Sequence, residues 1–178
     1  MGIRATRQTD IPELQAIEWA AGQRFLEFGL MHIAEDEPLA TEAMATYVDE
    51  RRSWVATQPD DRPVGYVLVD ELDGLAHIEQ VSVLPEHQGN GHGRALVERV
   101  ADWARATGRP AVTLTTYDHI PWNRPLYEHL GFRVLDLANL GPELAARRAE
   151  ESGRGMDPGL RVAMRLDLEV TRGPSQPI

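Results

Sequence analysis

Three glycines at alternate positions, Gly89, Gly91 and Gly93, separate an apolar run ending at Val83 from a segment of helical periodicity that begins near Arg94. Glycine reaches backbone angles closed to other residues and leaves no side chain in front of its amide. At a helix N-terminus such amides, aided by the helix dipole, hold phosphate. A tight turn ahead of a capped helix would use the same spacing. The glycines do not make a nucleoside-triphosphate loop, because the required Gly-Lys-Ser/Thr ending is absent, and Arg94 stands where a dinucleotide fingerprint needs its third glycine. His77-x-Glu79 resembles the opening of a zinc deaminase site, which needs two further cysteines, and the chain has none. Without cysteine there is no thiol nucleophile, disulfide or cysteine-zinc site. Ser82 has no nucleophile elbow around it, and His32, His119 and His129 lack metal-like spacing, so no metal is expected. His87 and His92 flank the glycines and read as solvated.

The loop needs a strand before it and a helix after it, and the pattern supplies both. Alternation predicts strands over 53–57, 64–70 and 76–84, joined by turns rich in proline, aspartate and glycine, as an antiparallel meander. Leu96, Val97, Val100, Trp103 and Ala104 share one helical face over 94–107, which Gly108 and Pro110 end. Upstream, a strand over 3–6 leads to a helix capped by Thr9 or Asp10 that runs to about Phe28. Its apolar positions include Leu14, Ile17, Ala21 and Phe25. A second helix is expected over 37–52. Downstream follow a strand at 111–115, a short helix at 123–130, a strand at 132–135, a helix at 142–151 and a last strand at 160–168. This order describes an α/β domain with a mixed sheet. Trp19, Phe25, Phe28 and Met31 read as core, with 28–36 as a candidate wall of an acceptor pocket.

The 178 residues suit one domain over 1–170 with a flexible tail over 171–178. A formal charge of −10 disfavours nucleic acid and anionic membranes as partners and favours a cationic small molecule. No apolar run approaches the roughly 18 residues of a membrane span, and residues 1–10 carry charge where a signal peptide needs an apolar centre, so a cytoplasmic protein is expected.

Gln88-Gly89-Asn90-Gly91-His92-Gly93 matches the Gln/Arg-x-x-Gly-x-Gly/Ala signature of the GNAT N-acetyltransferases, and Asn123-Arg124-Pro125-Leu126-Tyr127, followed by Gly131-Phe132, resembles that family's second segment. The resemblance covers residues 3–168, and the helix at 142–151 is longer than it leads one to expect. It implies a GNAT-like, mostly antiparallel sheet flanked by helices, with acetyl-CoA as cosubstrate. The pyrophosphate would rest on the amides of Gln88, Gly89, Asn90, Gly91, His92 and Gly93, with Arg94 adding charge. The pantetheine arm would pair with the backbone around Val81 and Val83, and Asn123 would position it.

Acetyl transfer to an amine needs a base. A lysine-like amine with a pKa of about 10.4 is neutral in one molecule in about 2,500 at pH 7, a deficit of about 4.6 kcal/mol. His77 and Glu79, two apart on a strand and hence on one face, are the candidates, and the sequence does not choose between them. Glu79 could instead be a buried carboxylate bonded to the next strand. Tyr127, one helical turn beyond Asn123, is the candidate acid for the leaving thiolate, with core packing as its alternative role. The resulting expectation is an N-acetyltransferase moving acetyl directly to a primary amine in a ternary complex. A non-catalytic acyl-CoA sensor, or an enzyme using another acyl donor or an oxygen acceptor, are the rivals. The acceptor's identity and homodimer formation stay open.

Overall fold

The structure, a computed structural model, describes residues 2–169; the tail expected over 171–178 lies outside them. Among the described residues seven strands form one sheet: β1 (Gly2–Ala5), β2 (Ser53–Thr57), β3 (Pro63–Leu72), β4 (Leu75–Val83), β5 (Ala111–Tyr117), β6 (Arg133–Val134) and β7 (Arg161–Asp167). Their spatial order is β1-β2-β3-β4-β5-β7-β6, and every neighbouring pair is antiparallel except β4 with β5. The meander over β2, β3 and β4 follows from alternating apolar residues and from the Asp73-Gly74 turn, whose positive φ angles of 54° and 72° suit a tight hairpin.

Helix α4 (His92–Ala106) crosses one face. It buries Leu96, Val97, Val100, Ala101 and Ala104 against Val67, Val69, Ile78 and Leu114. The alternate residues Tyr66 and Leu68 point to the other face, where they meet Ile11, Leu14 and Ile17 of α1 (Ile11–Gly22) and Met44 of α3 (Thr41–Asp49). The short α2 (Met31–Ala34) and α5 (Arg124–His129) flank the C-terminal end of β5. The remaining helix, α6 (Pro142–Gly153), lies on the α1 face and bonds to β3, β4, β5 and β7. No helix of the described residues is long and apolar enough to cross a membrane.

The structure departs from the expectations along the first half of the chain, where the Asp10 carboxylate accepts from Arg4 (2.7 Å) and the Arg7 amide (2.8 Å) instead of capping α1. The first helix stops at Gly22, where the carbonyl of Ile33 passes 3.4 Å from the position a Cβ would take, and continues to Phe28 as a 3₁₀ turn closed by Gly29 at φ 71°. The helix expected over 37–52 begins only at Thr41. Leu39 is held out of helical conformation because Gln15 donates to its carbonyl (3.0 Å) and its amide donates to Glu18 (3.3 Å). Trp19 and Met31 are not core: they are 49% and 57% exposed, whereas Phe25 and Phe28 pack against Trp122.

Candidate active site

Strands β4 and β5 pair over only three residues, Ala76↔Val112, His77↔Thr113 and Ile78↔Leu114. Beyond Ile78 they part, β4 staying with β3 and β5 with β7. At the same point the β3 register passes from Ile78 to Gln80, which leaves Glu79 in a β-bulge. A bulge bends its strand and re-aims the side chain it carries. The backbone groups of β4 that face β5 past this fork have no strand partner among the described residues, so a strand edge lies open in the middle of the sheet. Val81 and Val83 are on this edge. The side-chain amide of Gln88 donates to the Val83 carbonyl (2.9 Å), which ties the glycine loop to the end of β4.

The loop then turns into α4 two residues earlier than the sequence suggests. Gly91 is the N-cap at φ 83°, and Gly89 stands at φ 76°. A Cβ at either would meet nothing within 4 Å, so both glycines face open space, while one at Gly93 would touch Val83 at 3.9 Å. The first helical bond is from the Ala95 amide to the Gly91 carbonyl, which leaves the amides of His92, Gly93 and Arg94 free of helix partners. Asn90 is exposed. Arg94 reaches along the helix to Glu98 (2.7 Å). His92 is buried, not solvated as expected. Its ring packs edge-on to His87 and its Nδ1 has no partner among the described residues. Burial lowers its pKa. Half-buried His87 is bonded to Gln58 (3.2 Å).

The three candidate proton carriers sit in different surroundings. His77 belongs to the paired stretch before the fork and is 1% exposed. Its Nδ1 is hydrogen-bonded to Thr113 Oγ1 at 2.9 Å, and that oxygen lies 3.4 Å from the Ala76 carbonyl. Burial drives its pKa down to about 4. Glu79 lies at the fork, on the α6 side, in contact with Arg147. Burial pushes its carboxyl up, and the Arg147 guanidinium only partly offsets this. Asp70 accepts from the same arginine (2.9 Å) and from Arg52 (3.0 Å). Burial raises its pKa too, but these donors outweigh burial and hold it below the usual range. The guanidinium, which also has exposed Glu150 at 3.6 Å, therefore joins two half-buried carboxylates whose pKa values are pushed apart, a pattern common where one group must accept a proton near neutrality. Tyr127 belongs to the apolar cluster on the opposite, α4 face and packs edge-on to Phe132; burial raises it to about 12. Asn123 caps α5 by position but not by side chain, which leaves its amide uncommitted to the helix.

Sequence reasoning did not find Arg147, Arg24 or Glu18. Arg24 contacts Gln88 and lies 4.0 Å over the Trp122 ring, spanning the two sides of the fork. Glu18 accepts from Tyr66 (2.8 Å) in a polar layer with Gln80 and Ser82, and burial raises its pKa. The only signal for Arg147 was the unexplained helix that carries it.

The model of the Acetyltransferase (GNAT) family matches residues 13–132. Glucosamine 6-phosphate N-acetyltransferase of Trypanosoma brucei brucei is 31% identical over 135 residues, covering 68% of this chain and 89% of the relative. Peptidyl-lysine N-acetyltransferase YjaB of Escherichia coli (strain K12) is 29% identical over 138 residues, covering 75% and 83%. Among solved structures, the PaiA N-acetyltransferase of Thermoplasma acidophilum in complex with coenzyme A superposes with a TM-score of 0.70 at 13% identity, over 94% of this chain and 98% of that one. The chain belongs to the GNAT acetyltransferase family and is an enzyme of the N-acetyltransferase kind.

Proposed function

We propose that the protein transfers the acetyl group of acetyl-CoA to a primary amine by direct attack in a ternary complex, with Glu79 as the base. The observation that carries this reading is the coincidence of the open β4 edge, the bulge at Glu79 and the glycine-lined helix start along one line of the chain. When bound, acetyl-CoA supplies an activated acetyl thioester. The free amides of His92, Gly93 and Arg94, with the loop at Gln88, Gly89, Asn90 and Gly91, would hold its phosphates. The β4 edge at Val81 and Val83 would hold its amide-bearing arm by strand addition, with Asn123 on the other side.

Glu79 is favoured over His77 on two grounds. It stands at the fork, whereas His77 is enclosed before it and, at a pKa of about 4, is a weak base. Its carboxyl is raised by burial toward the range in which a base works near neutrality. It takes the ammonium proton of the acceptor, directly or through one water. Tyr127 keeps its proton at every working pH. Full transfer from a phenol at about 12 to a thiolate whose acid has a pKa of about 8.5 is uphill by about 5 kcal/mol. Its part is therefore a donated hydrogen bond to the leaving sulfur, with the proton following from the general pool.

The acceptors named for the two relatives, glucosamine 6-phosphate and peptidyl lysine, both carry primary amines. For this chain a cationic amine is favoured by the charge of −10 and by the exposed Glu35, Asp36 and Glu37 between α2 and α3. Incubation with labelled acetyl-CoA and an amine panel tests the whole reading: N-acetylated product and intersecting initial-rate lines are expected. Binding without product would indicate a sensor, and parallel lines an acyl-enzyme.

A further inference from the structure

Helix α6 reaches the fork from the face opposite α4, and two of its inward side chains, Arg147 and Glu151, hold the two sides of that fork. Arg147 donates to Asp70 on β3 (2.9 Å) and contacts Glu79 on β4. One turn later Glu151 accepts from Arg161 of β7 (3.0 and 3.2 Å) and contacts Thr115 of β5, to which Arg161 also donates (2.8 Å). The start of the helix is fixed from a distance. Asp73, in the β3–β4 turn, accepts from the amides of Glu143 and Leu144 (both 3.0 Å), and Glu143 contacts the Asp73 amide in return. This is a capping box closed between two distant segments. The Asp73 carboxylate occupies the place of a Gly141 side chain, 2.2 Å from where its Cβ would be. A helix anchored at its first turn by the turn that begins β4 places Arg147 in a set relation to the bulge on the same strand.

We propose that Arg147 is a positioning residue of the acetyl-transfer site, its guanidinium fixing the Glu79 carboxylate at the fork. The inference rests on the reading of Glu79 as base. Serving two carboxylates requires the planar, two-pronged donor of arginine; a lysine ammonium offers the charge without that geometry. The charged and titratable groups facing Glu79 are Arg147 and Glu151 of α6, Arg154 just past its end, Asp70 of β3 and Tyr47 of α3. Asp70 and Glu151 disfavour its ionised form and Arg147 is the largest favouring charge. Without Arg147 the carboxyl moves further up, and the carboxylate form needed for catalysis is lost over a wider pH range.

The test compares kcat and kcat/KM from pH 5.5 to 9 in wild type, Arg147→Met, Arg147→Lys and Glu79→Gln, with acetyl-CoA affinity by calorimetry as control. Arg147→Met should shift the acid limb upward by about one unit or more, since an opposite charge at this range lowers a carboxyl by about 1–3 units. Cofactor affinity should stay within about twofold. Arg147→Lys should keep the limb near wild type but lose about 3- to 10-fold in kcat, because one ammonium cannot hold both carboxylates in place. A folded Arg147→Met with the wild-type profile would overturn the proposal. If Arg147→Met does not fold, wild-type kcat in Arg147→Lys would overturn it. Full activity in Glu79→Gln, by contrast, would remove the base reading itself, whatever the arginine variants do.

Discussion

Tyr127 and His77 show how burial decides what a titratable side chain can do. Tyr127 remains a neutral phenol because the apolar cluster around it penalises the phenolate. Tyr127→Phe keeps the ring packed on Phe132 and removes only the donor, so turnover should fall on the order of 10² with acetyl-CoA affinity nearly unchanged. Steady-state kinetics beside calorimetry would check this, and equal losses in both would point to a packing role. His77 carries a pH signature instead. Its pKa is about 4 folded and about 6.5 unfolded. Between those values the unfolded chain binds the extra proton, so this group's stability is complete above pH 6.5 and declines as pH falls toward 4. Lowering the pH from 7 to 5 should cost about 2 kcal/mol through this residue. The raised carboxyls of Glu18 and Glu79 act in the opposite direction. The measurement is therefore the difference in urea stability between pH 7 and 5 for wild type and His77→Gln. Between pH 7 and 5 the variant should lose about 2 kcal/mol less stability than wild type; an identical change in both would mean that His77 is not held neutral.

At the scale of elements, the placing of α6 depends on a contact that no local pattern announces. Asp73 reads as a hairpin residue, and it is one, but its carboxylate is also the cap of a helix 70 residues away. Asp73→Ala should cost about 1 kcal/mol, as loss of an N-cap does. Gly141→Ala should cost more, since its Cβ would stand 2.2 Å from that carboxylate. Thermal unfolding would rank the two, and the reverse order would show that the cap, not the close approach, holds the helix. The strands and α4 were legible because alternation and the 3.6-residue period act locally: 53–57 is β2 to the residue. The glycine loop was legible for the same reason, as positive φ leaves its mark in residue type. What could not be read was what tertiary contacts impose. Leu39 is kept extended by two side chains of α1, and Glu79 is turned out by a bulge set by β3. Arg147 joins two strands to a helix whose sequence shows only an amphipathic pattern.

For the molecule as a whole, charge is the property that bears most on the acceptor. The excess of 28 acidic over 18 basic side chains produces a net negative field, and all 18 basic residues are arginine, so the protein has no lysine amine of its own to compete as acceptor. If Glu35, Asp36 and Glu37 steer a cationic amine, kcat/KM for a diamine should fall as salt shortens the screening length from about 30 Å at 0.01 M to about 8 Å at 0.15 M. A neutral-side-chain amine should respond less, and the triple variant Glu35→Gln, Asp36→Asn, Glu37→Gln should lose the difference. No salt response in wild type would leave those acids with solubility as their role. The fork and the charged layer under α6 meet at Glu79, and the pH dependence of product formation in Glu79→Gln tests its proposed role as base most directly. N-acetylated amine is to be quantified by mass spectrometry from pH 6 to 9 in wild type and variant. The deficit of the variant should be greatest near pH 6 to 7 and shrink toward pH 9, where more of the amine is already neutral. Equal rates of the two proteins across that range would show that the proton leaves by another route and that Glu79 is a structural carboxylate.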